Sequence, residues 1–230
     1  MLNKFFCFLA VAIFLTACSV SKDVAKVESM REENPVVVKE EKSFSEKIKE
    51  LKTKKDYKSI CKLYEKSKDA EIDITAFSYI MEAYFIETKF ENVIEIGEKI
   101  FGKFPGLVDG NLNLMLGIAY YNKGLYEVAR RNLRKAKEEG VHNVLLATYL
   151  VDMYLKKGQN SLALTEAALL EGELKDYLQG VIFYNEGNYS RALEKFEKLK
   201  NYENSVLYKG YTLYKMNKTK ELLDLWDSGV

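Results

Sequence analysis

The chain has 230 residues, with 35 Lys and Arg against 34 Asp and Glu, a formal charge of +1. It contains one His, two Pro, one Trp and three Cys; 47% of it is hydrophobic and 30% charged, which is ordinary for a soluble globular chain. The near-zero charge excludes the basic surplus by which nucleic-acid binders neutralise phosphates. A single His removes most metal sites and most Ser/His or Cys/His catalysis. The composition therefore points to a protein that binds other proteins or peptides, with no enzymatic activity, cofactor, metal or small-molecule substrate expected.

The first residues read as an address. Lys4 supplies a positive start, and Phe5 to Thr16 is a nearly unbroken apolar run. It is shorter than the roughly 20 residues of a spanning helix and fits a signal-peptide core. The run closes on Leu15, Thr16, Ala17 and Cys18. That order, an aliphatic residue, two small ones and a Cys, resembles the lipobox of bacterial lipoproteins. The resemblance implies cleavage before Cys18 and lipidation of its thiol, with palmitate a fitting label for the acyl chains. Residues 1–17 are then a lipoprotein signal peptide. Cys7 leaves with it, Cys18 becomes a thioether, and Cys61 alone stays free, so no internal disulfide is expected. Each buried CH₂ of an acyl chain contributes roughly 0.8 kcal/mol to membrane anchoring. Ser19, rather than Asp, follows the Cys. By resemblance to enterobacterial sorting this implies the outer membrane, facing the periplasm.

Residues 18–40 read as the lipidated Cys and a flexible spacer. The stretch is polar, carries Pro35 and lacks helical periodicity. As flexible coil it would reach roughly 25 Å.

From about residue 41 to 230 the pattern turns helical, with internal repeats. Residues 110–143 place Leu116, Gly117, Tyr120, Gly124, Tyr126, Ala129, Leu133 and Ala136 at positions 7, 8, 11, 15, 17, 20, 24 and 27 of a 34-residue period. Residues 173–206 repeat the set with Gly180, Phe183, Gly187, Tyr189, Ala192, Phe196 and Leu199. The set resembles the tetratricopeptide repeat (TPR). The resemblance implies an all-α superhelical solenoid of about six helical hairpins. Each is two antiparallel helices that cannot bury their apolar stripes alone. The turn at position 15 falls on Lys55, Thr88, Gly124, Gly158, Gly187 and Asn217. The last two spacings are short, which predicts clipped second helices or loops in repeats four and five. Tyr84, Tyr120 and Tyr154, at position 11, are expected to pack.

In the TPR family the first helices line a concave face. Carried onto this sequence, that face would hold Glu82 and Phe85 in repeat two, Asn111, Leu114, Ile118, Tyr121 and Asn122 in repeat three, and Thr148, Asp152, Leu155 and Lys156 in repeat four. Repeats five and six would add Tyr177, Val181, Tyr184 and Asn185, then Leu207, Tyr211, Tyr214 and Lys215. Tyr brings contact area and a polar tip at little rotamer cost. Tyr121, Tyr184, Tyr211 and Tyr214 either bind a partner or pack between repeats; Asn122 and Asn185 edge the same surface. Lys and Arg do not recur regularly enough for a carboxylate clamp. Residues 39–68 carry eleven Lys and six acids, and residues 69–112 nine acids and three Lys. They read as solvated helix faces, or as a basic first repeat leaning on anionic lipid or an acidic partner.

Cys61 is expected to be a buried thiol, and His142 a loop residue without ligand or base role. The last helix closes at Trp226 without a polar cap, so Leu213, Leu222 and Trp226 are expected to form a docking end. The whole resembles small TPR lipoproteins that assist outer-membrane assembly, with Phe101 to Pro105 similar to their repeat ends. It also resembles TPR pilotins, which escort a secretin. A cell-wall enzyme or its activator is the remaining reading. The expected function is a lipid-anchored adaptor for protein partners in the bacterial cell envelope.

Overall fold

The computed structural model describes residues 42–67, 71–199, 202 and 204–228. Those residues form twelve α-helices and one short 3₁₀ turn. The signal peptide, Cys18 and the spacer lie outside them.

The described residues divide into two compact units, one ending at Leu125 and one beginning at Tyr126. The first holds α1 (Phe44–Thr53), α2 (Tyr57–Lys66), α3 (Ile74–Ile86), α4 (Phe90–Lys103) and α5 (Gly110–Asn122). Pro105–Leu107 is the 3₁₀ turn between α4 and α5. The second holds α6 (Tyr126–Glu138), α7 (Val144–Lys156), α8 (Asn160–Ala168), α9 (Gly172–Asn185), α10 (Tyr189–Glu197), α11 (Ser205–Lys215) and α12 (Thr219–Asp227).

Within each unit a helix packs on its successor, and the first helix of a hairpin also touches the first helix of the next. α1 touches α3 and α3 touches α5 in the first unit; α7 touches α9 and α9 touches α11 in the second. This is the contact pattern of stacked hairpins, in which each pair covers the apolar stripe of the next.

Local chemistry starts and stops the helices. Ser43 and Glu46 form a reciprocal capping box at α1. Asp73, Asp109 and Asn143 each accept the backbone N–H three residues on, at 2.8 Å, at the starts of α3, α5 and α7. Such caps are worth about 1 kcal/mol each.

The stops are uniform. Lys55, Thr88, Gly124, Gly158, Gly187 and Asn217, the six turn residues predicted from spacing, all have positive φ, between 55° and 78°. At each, the next N–H donates back to the carbonyl five residues earlier: Asp56 to Leu51, Lys89 to Tyr84, Leu125 to Tyr120, Gln159 to Tyr154, Asn188 to Phe183 and Lys218 to Leu213, at 2.9 to 3.0 Å. Those are the bonds of a Schellman stop. The accepting carbonyls from Tyr84 onward belong to the position-11 residues that mark the repeat.

Second helices follow the period of one buried stripe. In α6, Ala129, Leu133 and Ala136 are buried while Arg131, Arg134 and Lys135 are exposed. α8 and α10 are nine residues long, against 14 for α4 and 13 for α6. The clipping predicted from the short spacings therefore falls on the second helices themselves. Gly97 stands where the repeat places a large residue, and the Leu116 side chain of α5 occupies that volume.

Two ion pairs join the charged blocks of the first unit. Lys52 of the basic stretch bridges to Glu82 of the acidic stretch, joining α1 to α3. Lys89 reaches Glu65 at 3.4 Å, and Lys123 bridges to Glu91.

Candidate functional site

The residues singled out by sequence fall into two groups. Tyr121 and Asn122 belong to α5 in the first unit. Tyr121 is buried. The Asn122 amide donates to the Ile118 carbonyl at 2.9 Å and is half-buried. Leu114 and Ile118 are buried too. α5 is apolar over most of its circumference, and a helix of that kind is enclosed on most sides. α7 behaves alike: Leu145 to Met153 is one buried run that includes Thr148 and Asp152.

The second group lies in the second unit. Asn185 ends α9 and is exposed, while Tyr184 is half-buried. Tyr211, Tyr214 and Trp226 are 44%, 68% and 65% exposed. Among the described residues, ten large apolar side chains are exposed; half of them (Leu207, Tyr211, Tyr214, Leu223 and Trp226) belong to α11 and α12, and none precedes Leu107.

Sequence reasoning missed the centre of this region, Tyr208. Its ring stacks on Phe196 at 5.8 Å and meets Tyr184 at 5.9 Å, Tyr177 at 6.0 Å and Tyr211 at 6.3 Å. Such ring pairs each add about 0.5–1.5 kcal/mol beyond area burial. Burial, and then the neighbouring Tyr184, Tyr211 and Asp152, raise the Tyr208 hydroxyl pKa. Asp152 itself pairs with Lys156 one turn on. Tyr208 links Tyr184 to Tyr211, so these two predicted residues share one aromatic cluster. A register comparison with Leu178, buried at the equivalent place in α9, is the signal that could have found it.

The repeat register explains the exposed face. Gly187 and Asn217 are equivalent turns thirty residues apart. Leu207, Tyr211, Tyr214, Leu223 and Trp226 are therefore the counterparts of Tyr177, Val181, Tyr184, Leu193 and Phe196. In the α9–α10 hairpin Tyr177, Val181, Leu193 and Phe196 are buried, and α11 packs over that hairpin, inserting Tyr208. The α11–α12 face repeats the same apolar positions without such a cover among the described residues. Leu213 and Leu222, also read as docking residues, are buried in the small cluster joining α11 to α12.

A second feature is a cavity of about 340 Å³ in the same unit, lined in part by Val141, His142, Leu146 and Leu169. At its wall Lys137 Nζ donates to both oxygens of the buried Glu166 carboxylate, at 2.6 and 2.8 Å. His142 lines this cavity without a metal-ligand cluster; among the described residues no group of three or more His, Cys, Asp or Glu could hold a metal. Among the same residues no helix is long and apolar enough to cross a membrane.

No protein-family model matches the sequence, and no curated protein matches it. Solved structures do. The chain is similar to MamA AMB-1, with a TM-score of 0.55 and 19% identity over 67% of this chain and 90% of that one. It is similar to MamA MSR-1, with a TM-score of 0.57 and 18% identity over 66% and 92%. The C-terminal part of a TPR repeat-containing protein from Cytophaga hutchinsonii gives 0.57 and 14% over 80% of each chain. These likenesses establish the fold: all-α, helices packed as pairs, of the TPR type.

Proposed function

We propose that this chain is a scaffold that assembles proteins in the bacterial envelope, tethered there by lipid on Cys18. The single observation that carries the binding role is the α11–α12 face. Its five exposed apolar side chains stand at positions whose counterparts one hairpin earlier are covered or half-covered by a helix. Neighbouring hairpins of a solenoid stack by covering such faces, and Tyr and Trp are among the side chains most often dominant in protein contacts.

The anchor rests on sequence: a positive start, a short apolar core, and the lipobox ending at Cys18. The outer membrane, facing the periplasm, follows from Ser19 in place of Asp. An assembly role in the outer membrane is the preferred setting.

Two measurements test this reading. Labelled palmitate is incorporated into the wild-type chain and not into Cys18→Ala. A photocrosslinker placed at Tyr214 in cells joins the chain to a protein. Absence of label on the wild type removes the anchor; absence of any crosslinked protein removes the scaffold.

A further inference from the structure

We infer that the protein covering the α11–α12 face is a second copy of this chain, paired about a two-fold axis with α12 antiparallel to its counterpart. The inference rests on the scaffold reading and names the occupant of the same surface.

Three observations support it. The first is shape: the face repeats the apolar register that the α9–α10 hairpin presents to α11, so it fits a helix of the kind this chain itself supplies. The second is area. Burying an aromatic side chain removes about 150–250 Å² of surface. At their exposures Tyr211, Tyr214 and Trp226 leave roughly 300–400 Å² uncovered, and Leu207 and Leu223 bring the face to about 500 Å². Two such faces bury on the order of 1,000 Å², the threshold for a specific interface.

The third is charge. α12 carries Lys220 in its first turn and Asp227 in its last, with no basic residue there. Each charge sits at the end that the helix dipole disfavours. Among the described residues neither has an ion-pair partner, whereas Lys218 is bound to Glu221 at 2.8 Å. At about 100° per residue, Lys220 and Asp227 flank Leu223 on the same side. A two-fold axis that crosses α12 near Leu223 sets Lys220 of one copy beside Asp227 of the other, twice. Each charge then also meets the favourable end of the partner helix. The first hairpin offers no exposed large apolar side chain among the described residues, which disfavours head-to-tail stacking and favours this closed pairing.

Two differently tagged copies of the full chain, expressed together and extracted in mild detergent, test the pairing. Capture of one is expected to bring the other. Trp226→Asp lowers co-capture at least tenfold while far-UV circular dichroism keeps the wild-type helix content. Lys220→Asp and Asp227→Lys each lower it severalfold, and the double variant restores it. Restoration singles out a self-matched surface, because a different partner would not change with both substitutions. Leu223→Cys with a short bismaleimide gives a band at twice the mass of the single chain. A double variant as weak as the singles overturns the proposal. Crosslinking of Leu223→Cys to a different protein, with no self band, overturns the second copy and leaves the scaffold. Crosslinking to nothing removes both.

Discussion

Gly180 and Phe196 approach so closely that a Cβ on Gly180 would lie 2.5 Å from Cε1 of the ring. That contact holds α9 against α10. Phe196 is buried and stacked under Tyr208, so its ring has nowhere to retreat. Gly180→Ala is expected to lower stability by about 1–3 kcal/mol through overpacking, although Ala is the better helix former. Gly210 holds the same register one hairpin on. There the nearest atom to an added Cβ is Leu222 Cδ1, at 3.6 Å. Gly210→Ala is expected to raise stability by about 0.5–1 kcal/mol from helix propensity. Urea unfolding of the two variants checks the opposite signs.

Thr88 stops α3 with φ at 55°, a conformation costly for a β-branched residue. Thr88→Gly is expected to stabilise by about 0.5–1.5 kcal/mol. Gly124→Ala, at φ 78°, is expected to destabilise by about 1 kcal/mol. Thermal midpoints moving in the same direction would refute the account of these turns.

Lys137 satisfies both oxygens of the buried Glu166. Lys137→Met leaves that carboxylate without its counter-ion and is expected to cost about 1–3 kcal/mol. Adding Glu166→Leu is expected to recover most of the loss. A double-mutant cycle in denaturant measures the coupling.

Burial pushes the Cys61 thiol up from 9.0 to about 11. At pH 8 its thiolate fraction is then roughly a hundredfold below that of the unfolded chain. Reaction with a thiol reagent is expected to be slow in the native protein and rapid in urea, with Cys61→Ala as the blank. The folded state also keeps this proton longer than the unfolded state. The stabilisation it contributes is complete below about pH 9 and is lost as pH rises towards 11. The wild type should therefore lose more stability than Cys61→Ala across that window.

The helix stops were legible because a left-handed residue every 29 to 36 positions leaves a signature even where Lys or Thr replaces Gly. The short second helices were legible through the same spacings. The first-helix surface was harder to read. The repeat template places Leu114, Ile118 and Tyr121 on an open face, but it carries no information about enclosure, and these apolar residues are buried. Tyr208 escaped for a related reason: it fills a position of low template weight, and only the ring contacts of its neighbours reveal its place. The proposed lipid anchor rests wholly on the sequence of residues 4 to 18, which lie outside the described residues.

α12 is nine residues long and buries a single side chain, Leu222. A segment that short does not hold helical form by propensity alone. Its amides are expected to exchange with solvent deuterium far sooner than those of α9, and to slow when a partner settles on Leu223 and Trp226. With a second copy seated there, as inferred above, occupancy and local order would rise together, and α12 would act as a latch that tightens as it closes.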